Sequence, residues 1–110
     1  MTLDAEHYTV VDLPEQERFE NATGAQVAGF TEYRRRGGLI AFVHTEIAPE
    51  LEGQGLASRL IAAALDRARE EGLAVLPLCP FVRGFISRHH EYLDLVPASQ
   101  REHFELPADG

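Results

Sequence analysis

Apolar residues recur at intervals of three and four between residues 55 and 71, where Leu56, Leu60, Ile61, Ala64, Leu65 and Ala68 fall on one stripe. Arg59, Asp66, Arg67 and Glu70 lie off it, so the spacing predicts an amphipathic helix with that stripe buried. Gly72 is the expected C-terminal stop. Upstream, Gln26 to Arg34 and Leu39 to Ile47 read as two strands joined through Gly37 and Gly38, a good hairpin turn. Leu39, Ile40, Ala41, Phe42 and Val43 form an apolar run, which predicts a central strand buried on both faces. The short run Leu73 to Leu78 returns as a strand. Residues 39–78 then make a strand–helix–strand unit whose strands should be parallel, with a right-handed crossover. Pro77 inside the last strand points to an edge, a bulge or a splayed end.

The rest of the chain gives weaker signals. Tyr8 to Asp12 reads as a short strand or an arm, and Arg18 to Asn21 as a short strand before a turn at Thr23 and Gly24. Residues 81–89 read as a second helix with Phe81, Phe85 and Ile86 inward. After Pro97 the sequence turns polar, and this tail is expected to fray. A chain of 110 residues is long enough for one core and too short for two. The expected organisation is an N-terminal arm or short strand over 1–14, a main domain over 15–97 and a polar tail over 98–110.

Composition narrows the class. With 45% hydrophobic and 25% charged residues, the chain has the make-up of a soluble globular protein. No apolar run approaches the roughly 20 residues that span a bilayer, and the first residues lack the pattern of a signal peptide. Cys79 is the one cysteine, so no internal disulfide can form, which suits a reducing cytoplasm. The net charge of −8 argues against a nucleic-acid partner. Arg34, Arg35 and Arg36 are the one basic run, and they read as a solvated hairpin end. A negative surface could instead attract a cationic amine or a basic peptide. All ten cations are arginine, so the chain has no lysine side chain to acetylate.

The stretch from Thr45 to Leu60 carries the clearest chemistry. A strand runs into a loop with Gly53 and Gly55, and a helix opens directly after it. Unpaired N–H groups at a helix start form a positive concavity suited to phosphate, and glycines let a ligand approach the main chain. The alternative is an ordinary strand-to-helix turn. No Gly-Lys-Ser/Thr follows, so this is not a P-loop, and Ser58 occupies the third glycine position of a dinucleotide fingerprint.

The wider pattern resembles the acyl-CoA pyrophosphate motif of the GNAT superfamily of N-acetyltransferases: Ile47, Ala48 and Pro49, then Glu50, Gly53, Gly55 and Ala57, then the amphipathic helix. Further along, Cys79, Pro80 and Phe81 close a strand, and His44, Thr45 and Glu46 precede the loop. Together these are similar to the minimal single-domain branch of that superfamily, over roughly residues 15–97. The resemblance implies an α/β (α+β) fold with a mixed, mostly antiparallel central sheet, a parallel βαβ unit at residues 39–78 and a second helix after Cys79. It also implies acetyl-CoA as cofactor, held by Gly53, Gln54, Gly55, Leu56, Ala57 and Ser58. The backbone of Ile47 would meet the pantetheine arm and polarise the acetyl carbonyl.

Acetyl transfer from a thioester to an amine also needs proton handling. Glu46 and His44, two apart on a strand and so on one side of it, are the candidate general bases. Their alternatives are a structural ion-pair partner and a hydrogen-bonded core histidine. Cys79 stands where a strand ends and a helix begins. It is a candidate acyl-cysteine nucleophile or proton donor to the departing thiolate, and otherwise a small buried apolar residue. Many GNAT enzymes carry a tyrosine acid on this helix; Phe85 and Ile86 occupy the nearby positions here, and Tyr92 lies beyond. Glu50 stands where the superfamily has Gln or Arg and should face solvent. Arg59, Arg83 and Arg88 are the cations available to offset phosphate. His89, His90 and Glu91 read as an exposed helix end, so no metal is expected. The acceptor-binding helices of larger GNAT enzymes are missing between the early strands, which implies an open site suited to a protein or peptide amine. The competing readings are a non-catalytic CoA-binding module and a small interaction protein whose loop binds nothing.

Overall fold

A computed structural model describes residues 8–23 and 26–107. Five strands form one sheet whose spatial order follows the chain: β1 (Thr9–Leu13), β2 (Arg18–Thr23), β3 (Gln26–Arg36), β4 (Leu39–Ile47) and β5 (Ala74–Pro77). The first three pairings are antiparallel, and β4 with β5 is parallel. This is the mixed, mostly antiparallel sheet that the resemblance implies, with the parallel unit that the residue pattern predicts. The turn expected at Thr23 and Gly24 lies partly outside the described residues.

Helix α1 (Leu56–Glu70) buries Leu56, Leu60, Ile61, Ala64, Leu65 and Ala68, the six residues of the predicted stripe. The last five meet Phe19, Tyr33, Ile40, Phe42 and Val75 of the sheet in one core, while Leu56 packs with Tyr8, Ala28 and Leu51 in a second, smaller one. Each leucine or isoleucine removed from water contributes about 1.5–3 kcal/mol, which is why the stripe decides where α1 lies. Arg67 and Arg69 sit in its last turn, where positive charge complements the helix dipole. Helix α2 (Pro80–Arg88) starts with proline at its first position and adds Val82, Phe85 and Ile86 to the core. Phe81, expected inward, is 40% exposed instead.

β4 is not buried on both faces. It alternates, and its alternation breaks in the middle. Tyr33 pairs with Phe42 but Glu32 pairs with His44, so Val43 is an extra residue, a β-bulge. Ile40 and Phe42 before the bulge face the helices; after it Thr45 and Ile47 face the helices, and His44 and Glu46 face the other way. A second bulge, at Ala28 of β3, shifts the register against β2.

The closing segment also departs from expectation. Instead of fraying, residues 98–107 include a short helix, α3 (Ala98–Arg101), followed by Phe104 and Leu106, both buried in the core. Two apolar residues at spacing two, in an otherwise polar stretch, were enough to dock it.

Candidate functional site

The loop between β4 and α1 folds as a 3-10 turn over Pro49–Leu51 and then passes through Gly53 and Gly55, whose φ angles are +85° and +77°. These are left-handed values that L side chains avoid, so glycine is required at both. Gly55 caps α1 with no side chain bonded to the first turn, and the first N–H to close back onto the helix is that of Arg59, on the Gly55 carbonyl at 3.1 Å. The N–H groups of Leu56, Ala57 and Ser58 therefore precede the helical ladder, and no backbone acceptor takes them among the described residues. No acidic residue lies in this first turn to cancel the positive end of the dipole.

A groove of about 310 Å³ opens over these groups, lined on the loop side by Glu52, Gly53, Gly55, Leu56, Ala57 and Ser58, with Ile47 and Phe81 facing them. It brings together Ile47 and five of the six loop residues predicted from sequence. Gln54 is exposed and does not line it. Phe81 is a lining residue that its predicted inward orientation hid. Glu50 is exposed, as expected, whereas Glu52 at the rim adds an unforeseen carboxylate.

Ile47 stands at the end of β4, where the strand has lost its parallel neighbour. β5 pairs only as far as Pro77 with Phe42, and the Cys79 N–H adds a last bond to the Phe42 carbonyl at 2.8 Å. On the other edge, the Ala48 N–H donates to the Ala28 carbonyl at 2.7 Å. Successive N–H groups of a strand point to opposite edges, so the Ile47 N–H faces the gap that β5 leaves. Gly29 lies opposite Ile47; a Cβ there would collide with the Glu46 carbonyl oxygen and the Ile47 side chain.

The bulge at Val43 divides the remaining candidates between two faces. His44 and Glu46 share the face away from the core, with His44 Nε2 2.7 Å from Glu46 Oε2, and both are exposed. Glu46 lines a second groove with Val27, Gly29, Phe30 and Ile47. Ile47 thus borders both grooves. On the same face Phe30 pairs with Glu46 and Glu32 with His44, while Glu20 and Arg18 follow on β2. Arg18 lies over the Phe30 ring at 4.7 Å and pairs with Glu20.

Cys79 is on the core side and is buried, its Sγ 3.4 Å from Thr45 Oγ1, which is in turn 2.9 Å from Thr31 Oγ1. Sequence reasoning missed both threonines: Thr31 shares the parity of Tyr33 on β3, but Thr45 reaches the core face only because of the bulge at Val43. It also missed Asn21, buried beneath the start of α1, whose Nδ2 donates to the Leu56 carbonyl at 3.0 Å. Phe19, two residues earlier on the same strand, was the available signal.

Phe85 and Ile86 are buried in the core. The Tyr92 hydroxyl donates to Asp66 at 2.9 Å, and its pKa is pushed up to about 12 by burial, then by that carboxylate. No phenol of α2 reaches the groove. The His89 ring stacks on Phe85, 4.1 Å between centroids, and His90 bonds the Ser87 carbonyl, so the two histidines serve the helix end.

The family model for GCN5-related N-acetyl-transferases matches residues 18–95. Among solved structures, a GCN5-like protein from Staphylococcus aureus determined by NMR superposes with a TM-score of 0.66. It is 22% identical, and the match covers 83% of this chain and 89% of that one, which speaks for a shared fold. Strand order, the parting of β4 from β5 and the helix-start groove agree with the family match, and the chain belongs to the GCN5-related N-acetyltransferases, a family of acyltransferases.

Proposed function

We propose that the chain transfers an acetyl group from acetyl-CoA to an amine, with residues 15–97 carrying the machinery. The observation that carries this reading is the set of free N–H groups of Leu56, Ala57 and Ser58 over a groove that ends at Ile47. Main-chain donors at Gly53, Gly55, Leu56, Ala57 and Ser58 would hold the pyrophosphate, with Gln54 at the loop's outer edge. The Ile47 N–H would donate to the thioester carbonyl, whose oxygen gains charge as the amine attacks. Glu46, on the second groove and bonded to His44, would take the proton from the attacking amine, directly or with His44 as its partner. The new C–N bond forms as the C–S bond breaks, and the thiolate then needs a proton. With no phenol at hand, Cys79 or water would supply it; a Cys79 acyl intermediate is the other course.

The acceptor we propose is an amine on a protein or basic peptide. The face around Glu46 carries the Glu32 carboxylate beside the His44–Glu46 pair, a surface suited to cations, while Glu20 is buried and already paired with Arg18, which covers the Phe30 ring. A single free thiol and the absence, among the described residues, of a helix long and apolar enough to cross a membrane support a cytoplasmic setting.

The test is thermal unfolding with acetyl-CoA, on wild type and on Gly55→Trp. Ligand at a hundredfold excess over its dissociation constant stabilises by about 2.7 kcal/mol, several degrees for a domain of this size. The shift is expected in wild type and lost in the variant. Turnover of a basic peptide should fall at least tenfold in Glu46→Gln. Affinity without turnover would identify a CoA-binding module, and no affinity an interaction protein.

A further inference from the structure

Asn21 places a carboxamide in the interior beneath the opening of α1, with 0% exposure. Its Nδ2 donates to the Leu56 carbonyl across 35 residues of chain, while its Oδ1 meets no hydrogen-bond partner among the described residues. A half-satisfied buried amide costs stability. On packing grounds alone, an apolar side chain of similar size would serve the fold as well.

The carbonyl it holds belongs to the same peptide group as the Ala57 N–H, one of the free donors in the groove. Accepting a hydrogen bond at the carbonyl end polarises that amide and strengthens its N–H as a donor. It also fixes the plane of the peptide, and with it the direction of the N–H. We infer that Asn21 is a positioning residue for the cofactor pyrophosphate, acting through the Leu56–Ala57 peptide. This rests on the acetyl-CoA reading above. The buried amide, the peptide and a phosphate oxygen would form one line of hydrogen bonds, with Asn21 at its hidden end.

Asn21→Leu tests it. Calorimetry should show CoA bound roughly three- to tenfold more weakly, the worth of one hydrogen bond. Turnover of acetyl-pantetheine, which lacks the pyrophosphate, should keep its kcat/KM. The ligand-free variant should show an upfield shift of the Ala57 amide proton by NMR, a reading that needs no ligand. Asn21→Ala, which leaves a cavity, should lower the unfolding midpoint yet keep the same split between the two thioesters. Unchanged CoA affinity, an equal loss with both thioesters, or an unmoved Ala57 amide would overturn the inference. Wild-type protein that binds no CoA would remove the cofactor reading and this inference with it, an outcome seen before any variant is compared.

Discussion

Single residues set two properties that can be measured directly. Tyr33 and Tyr92 are both buried and donate to Asp12 and Asp66, and both phenols are pushed up to about 12 by burial and then by those carboxylates. A folded pKa above the unfolded value of 10 binds the proton more tightly in the native state. The stability this gives is complete below pH 10 and is lost as pH rises towards 12. An absorbance titration should show these two phenols ionising near 12, together with loss of the fold; ionisation near 10 with the fold intact would contradict it. Gly29 makes a steric prediction. Ala there must displace the Glu46 carbonyl and the Ile47 side chain, so Gly29→Ala should cost about 1–3 kcal/mol in denaturant melts. At this scale the sequence was legible where backbone chemistry speaks through glycine, as at Gly53 and Gly55. It was silent on the hydrogen-bond partners of Asn21 and Thr45, which lie 35 and 34 residues away.

Among the elements, α1 was legible because its stripe repeats for four turns and each apolar residue has a sheet to meet. β4 was misread because a bulge is a property of two strands. Nothing local to Val43 says that its neighbour across the ladder skips a residue. Yet that extra residue is what puts Thr45 on the core side beside Cys79, and His44 and Glu46 on the open side. Deleting Val43 should turn the His44–Glu46 pair inward, and the expected result is a chain that no longer folds, read by the loss of dispersed NMR amide signals. The closing segment was misread for a different reason: Phe104 and Leu106 have too few apolar neighbours to make a period. Phe104→Ala should cost about 3 kcal/mol, whereas a frayed tail would leave the midpoint unmoved.

At the scale of the whole molecule, the family was legible because separate stretches carry it together: His44 to Glu46, the loop around Gly53 and Gly55, and Cys79 to Phe81. The acceptor was not, because an open face records no partner. A net charge of −8 offers one handle. If the acceptor is a basic peptide, kcat/KM should fall steeply as salt is raised, since screening removes the long-range attraction; a flat profile would favour a neutral acceptor. The order of the sheet has a separate consequence. Because spatial order equals chain order, each antiparallel pairing closes only a short loop, while the pairing of β5 must wait for the whole crossover through α1. During synthesis the chain can zip its first four strands as they emerge. The groove is then finished late, because Phe81 on its far side lies beyond β5, so a chain cut short before β5 would have the beginnings of a sheet and a groove missing one wall.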